Sequence, residues 1–272
     1  MLFCKCNIAR LHFRRKFMNK LVFALALAGL LGAPSVVIAA EEGPHSLSAN
    51  VGLTSNYIFR GISQTGGDPA IQGGLDYAHS SGFYVGTWAS NVGWLEDYQG
   101  YTSGNVEIDV YAGFGNDIGD TGLSYDVGVM QYIYPGKKGN VTKADTSEIY
   151  ASLGWKWFTA KYSHYVSDEV FGFGNAKNSS YLDISASVPI AETGLTAGAH
   201  WGTFKFKNNG SQDYDDWKIS LAYDMGKLSK VTSDVTVGVA YTDTNAKRSK
   251  WTDNNSEFLG KNTTTVWISK SF

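Results

Sequence analysis

The chain has 272 residues, among them 31 Gly, 16 Tyr, 14 Phe and 8 Trp, with only 5 Pro and 2 Cys. This Gly-rich and aromatic-rich composition excludes a Leu-rich helical bundle and a disordered chain, and it favours a protein built mainly of β-structure. The formal net charge of -2 gives no basic face for nucleic acid, so we expect no nucleic-acid partner.

The first 40 residues comprise an N-terminal extension and a predicted export signal. A basic segment precedes an apolar run over residues 21–31, which is too short for a comfortable membrane span and is followed by small residues. We expect translation to start at Met18 and a signal peptidase to cleave near Ala39 or Ala40. Residues 41–272 then form a single mature domain. The alternative is an N-terminal anchor that is not cleaved.

Removal of this segment changes the charge of the chain. The segment holds six basic residues and no acidic ones, so 17 basic and 25 acidic residues remain and the net charge becomes -8. Both cysteines, Cys4 and Cys6, leave with it. The exported protein therefore cannot depend on a disulfide.

A two-residue alternation of apolar and polar side chains recurs along the mature chain. In its first instance Leu47, Val51 and Leu53 alternate with polar or small residues, which predicts a strand with one apolar and one polar face. The pattern predicts twelve strands, and its alternation is seen at residues 47–54, 69–78, 82–92, 106–114, 123–129, 149–155, 158–167, 182–188, 195–201, 217–223, 235–241 and 263–272, with the first strand expected to continue to Arg60.

The predicted connections alternate between long and short. The long ones cover residues 61–68, 93–104, 135–146, 168–179, 207–215 and 243–262, and the short ones residues 79–81, 115–121, 156–157, 189–193 and 224–230. A soluble sandwich has no reason for this alternation, whereas outer-membrane barrels have short periplasmic turns and longer outer loops.

These features predict an all-β fold, an antiparallel transmembrane β-barrel of about twelve strands in the outer membrane of a Gram-negative bacterium. Every backbone polar group at hydrocarbon depth must be paired, so a sheet spans the bilayer only when it closes on itself. Aromatic residues near the strand ends are expected at the two membrane interfaces, with core packing in a soluble sandwich as the alternative. These residues are Tyr57, Phe59, Tyr132, Tyr134, residues 155–158, Trp201, Phe204 and Tyr241.

The last strand predicts how the barrel is assembled. Phe272 is in phase with Ile268 and Val266, and a terminal Phe on an alternating strand resembles the signal that the barrel-assembly machinery recognises. Lys270 departs from that signal, because an apolar or aromatic residue is usual at its position.

Three segments near the N-terminus of the mature chain carry a family resemblance. They are residues 51–65 (VGLTSNYIFRGISQT), 69–77 (PAIQGGLDY) and 81–92 (SGFYVGTWASNV). They closely resemble the N-terminal signature of the proteobacterial Gcw_chp family, also called TorF-type porins. The resemblance implies an outer-membrane porin and supplies no catalytic residues.

The polar phase of the strands predicts the side chains of the lumen. The charged residues in this phase are Arg60, Asp76, Glu107, Asp109, Asp126, Glu148, Lys161, Asp183, Asp216 and Lys218. Seven acids against three bases predict a water-filled, pore-lining surface with a weak preference for cations. The alternative is that these charges pair with one another in a plugged barrel.

Arg60 is the most distinctive residue of this set. It follows Asn56 and Ile58 in the lumen phase, so we expect it to close the first strand near the outer mouth of the barrel. There its guanidinium would pair with Asp76 or contact the carboxylate of a solute.

The sequence favours a transport function over catalysis. No nucleophile, base and orienting group come together in it, His79 and Ser81 lie in a short turn, and we expect no enzyme activity, cofactor or metal site. The predicted function is an outer-membrane channel for small polar solutes. The alternative is a closed structural or interaction barrel that acts through its outer loops.

Basic loop residues predict contact with lipopolysaccharide phosphates, although ordinary solvated loops explain them equally well: Lys137, Lys138, Lys143, Lys247, Arg248 and Lys250.

Overall fold

The segments with alternating apolar and polar side chains form a closed sheet in the computed structural model, which describes residues 43–272. The strands are β1 (His45–Thr54), β2 (Ile58–Phe59), β3 (Ile62–Ser63), β4 (Ala70–His79), β5 (Phe83–Asn91), β6 (Val106–Asp117), β7 (Leu123–Ile133), β8 (Thr146–Trp155), β9 (Phe158–Tyr165), β10 (Ser180–Pro189), β11 (Leu195–Lys205), β12 (Tyr214–Asp224), β13 (Val235–Thr244) and β14 (Thr263–Ser271). Short helical turns lie at Leu95–Gln99, Gly210–Gln212, Met225–Lys227 and Lys230–Thr232. The predicted start, export signal and cleavage sites lie outside the described residues.

Twelve of these strands form one antiparallel barrel, and β2 and β3 form a separate two-stranded hairpin. Each barrel strand pairs with its neighbours in the chain, and β1 closes the ring by pairing with β14, where Asn50 lies opposite Ser271. This confirms the predicted fold class. Across residues 43–272 no helix combines the length and the apolar character needed to cross a membrane.

The outer face of the barrel is apolar. Leu47, Leu75 and Leu153 project from β1, β4 and β8 and are 74%, 62% and 60% exposed. A continuous apolar surface of this kind is unfavourable in water but is the surface that a barrel presents to lipid. The barrel is therefore of the outer-membrane type.

The aromatic residues near the strand ends divide between the two faces. Trp155, Phe158 and Trp201 lie on the outer face, as expected for membrane interfaces. Tyr132 and Phe204, as well as Tyr57, Phe59 and Tyr134, instead lie inside the barrel, so their predicted interface position is wrong. The reason is the two-residue period, because even-numbered residues of β7 and β11 point inward.

Inward-facing glycines make room for tyrosine rings on the barrel wall. Tyr111 lies opposite Gly86, and Tyr150 lies opposite Gly128 on the neighbouring strand. A Cβ atom on either glycine would come within 2.5 Å of the tyrosine hydroxyl. Part of the high content of Gly and Tyr thus has a common cause, since the outer end of each of these rings lies over a position without a side chain.

The two ends of the barrel differ. We call the end with the long connections the loop end and the end with the short connections the turn end. Loop residues pack over the loop end in buried aromatic clusters, in which Tyr98 stacks on Trp251 with 5.8 Å between ring centroids. The Tyr98 hydroxyl donates a hydrogen bond of 2.7 Å to the Lys250 carbonyl, which joins two distant loops.

Candidate functional site

The connection between β1 and β4 folds into the barrel instead of continuing the strand outward. Its centre is the hairpin β2–β3, in which Phe59 pairs with Ile62 across the two-residue turn Arg60–Gly61. Both turn residues have positive φ, 47° and 80°, as a type I′ turn requires. Arginine rarely adopts this backbone conformation, so contacts of its side chain must compensate for the strain.

Polar contacts hold the base of the hairpin. The side-chain oxygen Oδ1 of Asn56 accepts hydrogen bonds from the hydroxyls of Ser63 and Thr65 at 2.7 and 3.2 Å. The Ser63 amide donates to the Leu259 carbonyl at 2.8 Å, which ties the hairpin to the connection before β14. The hairpin is therefore built into the interior and is bonded on several sides.

The tip of the hairpin reaches the far wall of the barrel. Arg60 Nη2 donates to Glu148 Oε2 on β8 at 3.0 Å and to Ser163 Oγ on β9 at 3.3 Å. Gly61 packs so closely on Asp216 and Thr244 that a Cβ atom would overlap them. In the ring of strands β8 and β9 lie opposite β1 and β14, so the hairpin spans the bore.

This placement corrects two expectations for Arg60. The residue lies at the tip of an inward hairpin, not at the end of β1 near the mouth, because β1 ends at Thr54. Its partner is Glu148, and Asp76 instead accepts a hydrogen bond from the Tyr111 hydroxyl. The guanidinium is enclosed by aromatic rings, with its central carbon 4.4 Å from the ring centroid of Tyr181.

A cavity of about 250 Å³ lies between the hairpin and the turn end, and we call it the vestibule. Arg60 and Phe59 line it at the hairpin, and His79, Ser80 and Asn116 line it at the turn end. On the other side of the hairpin lies a smaller apolar cavity of about 40 Å³ among loop aromatics. The hairpin thus separates a chamber that contains charged side chains from one lined by aromatic rings.

The ten charged residues predicted for the lumen all lie inside the barrel. Those that line the vestibule are Arg60, Asp109, Asp126, Lys161, Asp183, Asp216 and Lys218. The other three, Asp76, Glu107 and Glu148, are buried. Glu107 accepts hydrogen bonds from the hydroxyls of Tyr57 and Tyr134 at 2.9 and 3.0 Å.

His200 is an interior residue that the predicted set omitted. Its Nδ1 lies 2.7 Å from Asp183 Oδ2, and its Nε2 lies 2.7 Å from Asp216 Oδ1. The alternation did place His200 in the lumen phase, between strands that carry these two carboxylates. Only the register of β10, β11 and β12 brings the three side chains together.

Replacing His200 by Ala is expected to lower the free energy of unfolding of the barrel by about 3–5 kcal/mol, because it removes the imidazole that contacts the carboxylates of Asp183 and Asp216 inside the barrel. The Asp216 side chain is only 1% exposed. Urea unfolding in lipid vesicles measures the loss. His164→Ala is the matched control, since His164 is half-buried on the outer phase and should cost less than about 1 kcal/mol. Equal losses in the two variants would contradict the prediction.

Comparison with known families identifies the chain. The family model described as "Bacterial protein of unknown function (Gcw_chp)" matches residues 38–272. The chain belongs to the Gcw_chp family. The resemblance in residues 51–65 is thereby confirmed, and in this Gcw_chp protein that segment forms the end of β1 and the hairpin that crosses the bore.

Solved structures with a similar fold are porins. The chain aligns with the NanC porin at a TM-score of 0.50 and 12% identity, covering 83% of this chain and 99% of that one. It aligns with the KdgM porin at a TM-score of 0.49 and 10% identity, covering 83% and 98%. The outer membrane protein OprD from Pseudomonas aeruginosa aligns at 0.41 and 12%, covering 86% and 66%. At these identities the likeness to NanC shows the fold alone. No curated protein matches the sequence significantly.

Proposed function

We propose that this Gcw_chp protein is an outer-membrane channel for small polar solutes, with its constriction at the β2–β3 hairpin. The observation that carries the proposal is the vestibule, a chamber lined by charged side chains inside a barrel whose outer face is apolar. A chamber of about 250 Å³ holds a small polar solute. Outer-membrane barrels have their short turns in the periplasm and their long loops outside the cell. We therefore expect the turn end to face the periplasm and the loop end to face outward.

A weak preference for cations is part of the proposal. The vestibule is lined by five acidic residues, Asp109, Asp117, Asp126, Asp183 and Asp216. Against them stand three basic residues, Arg60, Lys161 and Lys218, and two histidines, His79 and His200. An excess of carboxylates along a narrow path attracts cations and repels anions.

The hairpin itself favours a second candidate, a closed barrel that acts structurally or through its outer loops. It spans the bore, and Arg60 and Glu148 form a buried ion pair with side chains 10% and 0% exposed. A barrel closed in this way would pass no solute. The two candidates differ in whether the hairpin ever leaves the bore.

Single-channel recording separates the two candidates. The purified barrel is reconstituted in planar bilayers between two KCl concentrations, and its folded state is checked by heat-modifiable migration in gels. We expect small unitary conductance and a reversal potential shifted toward that of K⁺. A correctly folded barrel that stays silent would establish the closed barrel instead. A reversal potential shifted toward that of Cl⁻ would overturn the cation preference.

We propose further partners on the surface of the barrel. Six basic residues of the loops at the loop end are exposed and are suited to bind lipopolysaccharide phosphates: Lys137, Lys138, Lys143, Lys247, Arg248 and Lys250. Phe272 is 67% exposed, and its amide donates to the Ala49 carbonyl at 2.9 Å. This terminal strand is the proposed contact for the barrel-assembly machinery. We propose no catalytic role for the protein, and export through a cleaved signal peptide is part of the same proposal.

A further inference from the structure

Asp109 occupies an unusual position on the wall of the vestibule. It points inward from β6, and its neighbours across the two adjacent strands are Trp88 on β5 and Tyr132 on β7. The Cβ atoms of directly opposed residues lie about 4.5–5.5 Å apart in an antiparallel sheet, so the side chain of Asp109 projects inward between those of Trp88 and Tyr132. Asp109 is only 2% exposed, and it lines the vestibule together with Tyr132.

The carboxyl group of Asp109 differs from its neighbours in its hydrogen bonding. Within residues 43–272 its buried Oδ1 receives no hydrogen bond. Glu107 next to it accepts hydrogen bonds from two tyrosine hydroxyls, and Glu148 is paired with Arg60. Of these three neighbouring carboxylates, Asp109 therefore has the weakest compensation.

A positively charged group bound beside Asp109 would stabilise its buried carboxylate. A carboxylate that is buried without a donor is costly, and its cost rises when other carboxylates lie nearby. Glu107 projects inward from the same strand two residues before Asp109, and the guanidinium of Arg60 is already hydrogen-bonded to Glu148 and Ser163. Lys161 lies farther along the wall, with its ammonium 3.8 Å from the ring centroid of Tyr150.

The surroundings of Asp109 suit an organic ammonium group. Aromatic faces attract cations, and they do so best where water is excluded, while the carboxylate supplies the opposite charge and a hydrogen-bond acceptor. Phe59 of the hairpin packs edge-on against Tyr132, with 5.7 Å between ring centroids, and adds a third ring to this end of the vestibule. A strongly hydrated inorganic ion gains less from such apolar walls.

We propose that Asp109 binds the ammonium group of a small organic amine at the hairpin end of the vestibule. The solute class of the channel proposed above would then be small organic amines, and a role of this site in transport rests on the proposed channel function. Binding itself needs no transport. Ethylammonium is a suitable probe because it presents one ammonium and little else.

Calorimetric titration of the folded barrel in micelles with ethylammonium chloride, at constant ionic strength, tests the proposal. We expect saturable binding to the wild type, weakened at least ~10-fold in Asp109→Asn. Asp145→Asn is the control. It removes a carboxylate that lies at the loop end, outside the lining of the vestibule, in an ion pair with Lys143 at 2.7 Å, so binding should be retained.

The wild type alone also tests the inference, whatever the variants do. Sodium chloride should not displace ethylammonium, and neutral 1-propanol should not bind saturably. Absence of saturable ethylammonium binding would overturn the proposal, and so would equal competition by Na⁺ or equal weakening in the two Asn variants. A barrel that binds ethylammonium but is silent in bilayers would refute the channel and leave this site intact. A barrel that conducts ions but does not bind ethylammonium would support the channel and refute this site.

Discussion

Replacing Arg60 by Ala is expected to raise the conductance of the barrel severalfold in planar bilayers. Arg60 anchors the tip of the hairpin to the far wall through Glu148 and Ser163, at 3.0 and 3.3 Å. Without the guanidinium, Glu148 becomes a buried carboxylate that has lost its cation, which costs about 3–5 kcal/mol. Movement of the hairpin out of the bore then lets water reach this carboxylate. The variant should therefore favour the open state.

Two further variants test whether the effect comes from the ion pair between Arg60 and Glu148. Glu148→Gln removes the anion and keeps the arginine, and it should also raise the open fraction. Lys143→Ala is the matched control, because it removes one positive charge from an ion pair at the loop end whose lysine side chain is 59% exposed. Exposed pairs contribute little, so conductance should stay at the wild-type level. Equal conductance of Arg60→Ala and the wild type would show that the pair does not hold the bore closed.

Replacing Gly238 by Val is expected to lower the free energy of unfolding by about 1–3 kcal/mol, although valine is a better strand former than glycine. Gly238 on β13 lies directly opposite Trp267 on β14, and the indole ring covers it. A Cβ atom at this position would overlap the ring, so the tryptophan would have to move. Equilibrium unfolding in vesicles measures the loss.

A double variant identifies the cause of this loss. Trp267→Ala should relieve the overlap, so Gly238→Val should cost much less in its presence than in the wild type. Gly210→Val is the control for the substitution itself, since a Cβ atom there would meet no atom within 4 Å. If the cost of Gly238→Val were the same with and without Trp267, overpacking would be excluded as the reason.

Much of the barrel was predictable because its signals are local. Leu47, Val51 and Leu53 show the apolar face of β1 by their spacing alone, and the alternation of long and short connections orders the strands. The inward position of Asp109 follows from the same spacing once a single outward residue of β6 is known. The predicted end of the first strand at Arg60 was wrong because the alternation continues past Thr54 into the hairpin, where it no longer reports on the barrel.

The partners of the interior charges were not predictable in the same way. Arg60 and Glu148 are 88 residues apart, and Asp183 and Asp216 meet at His200 only through the register of three strands. Nothing in the neighbourhood of Arg60 in the sequence distinguishes Asp76 from Glu148 as its partner. The choice depends on where an inward hairpin places its tip.

The sequence by itself determined that this protein is an antiparallel outer-membrane barrel, because the two-residue period and the loop lengths are local properties of the chain. The tertiary structure alone decided that the hairpin crosses the bore, that Arg60 pairs with Glu148 and that the Oδ1 of Asp109 has no donor within residues 43–272. These features arise where side chains from distant strands meet inside a closed ring. Their positions depend on the closure and register of the whole sheet.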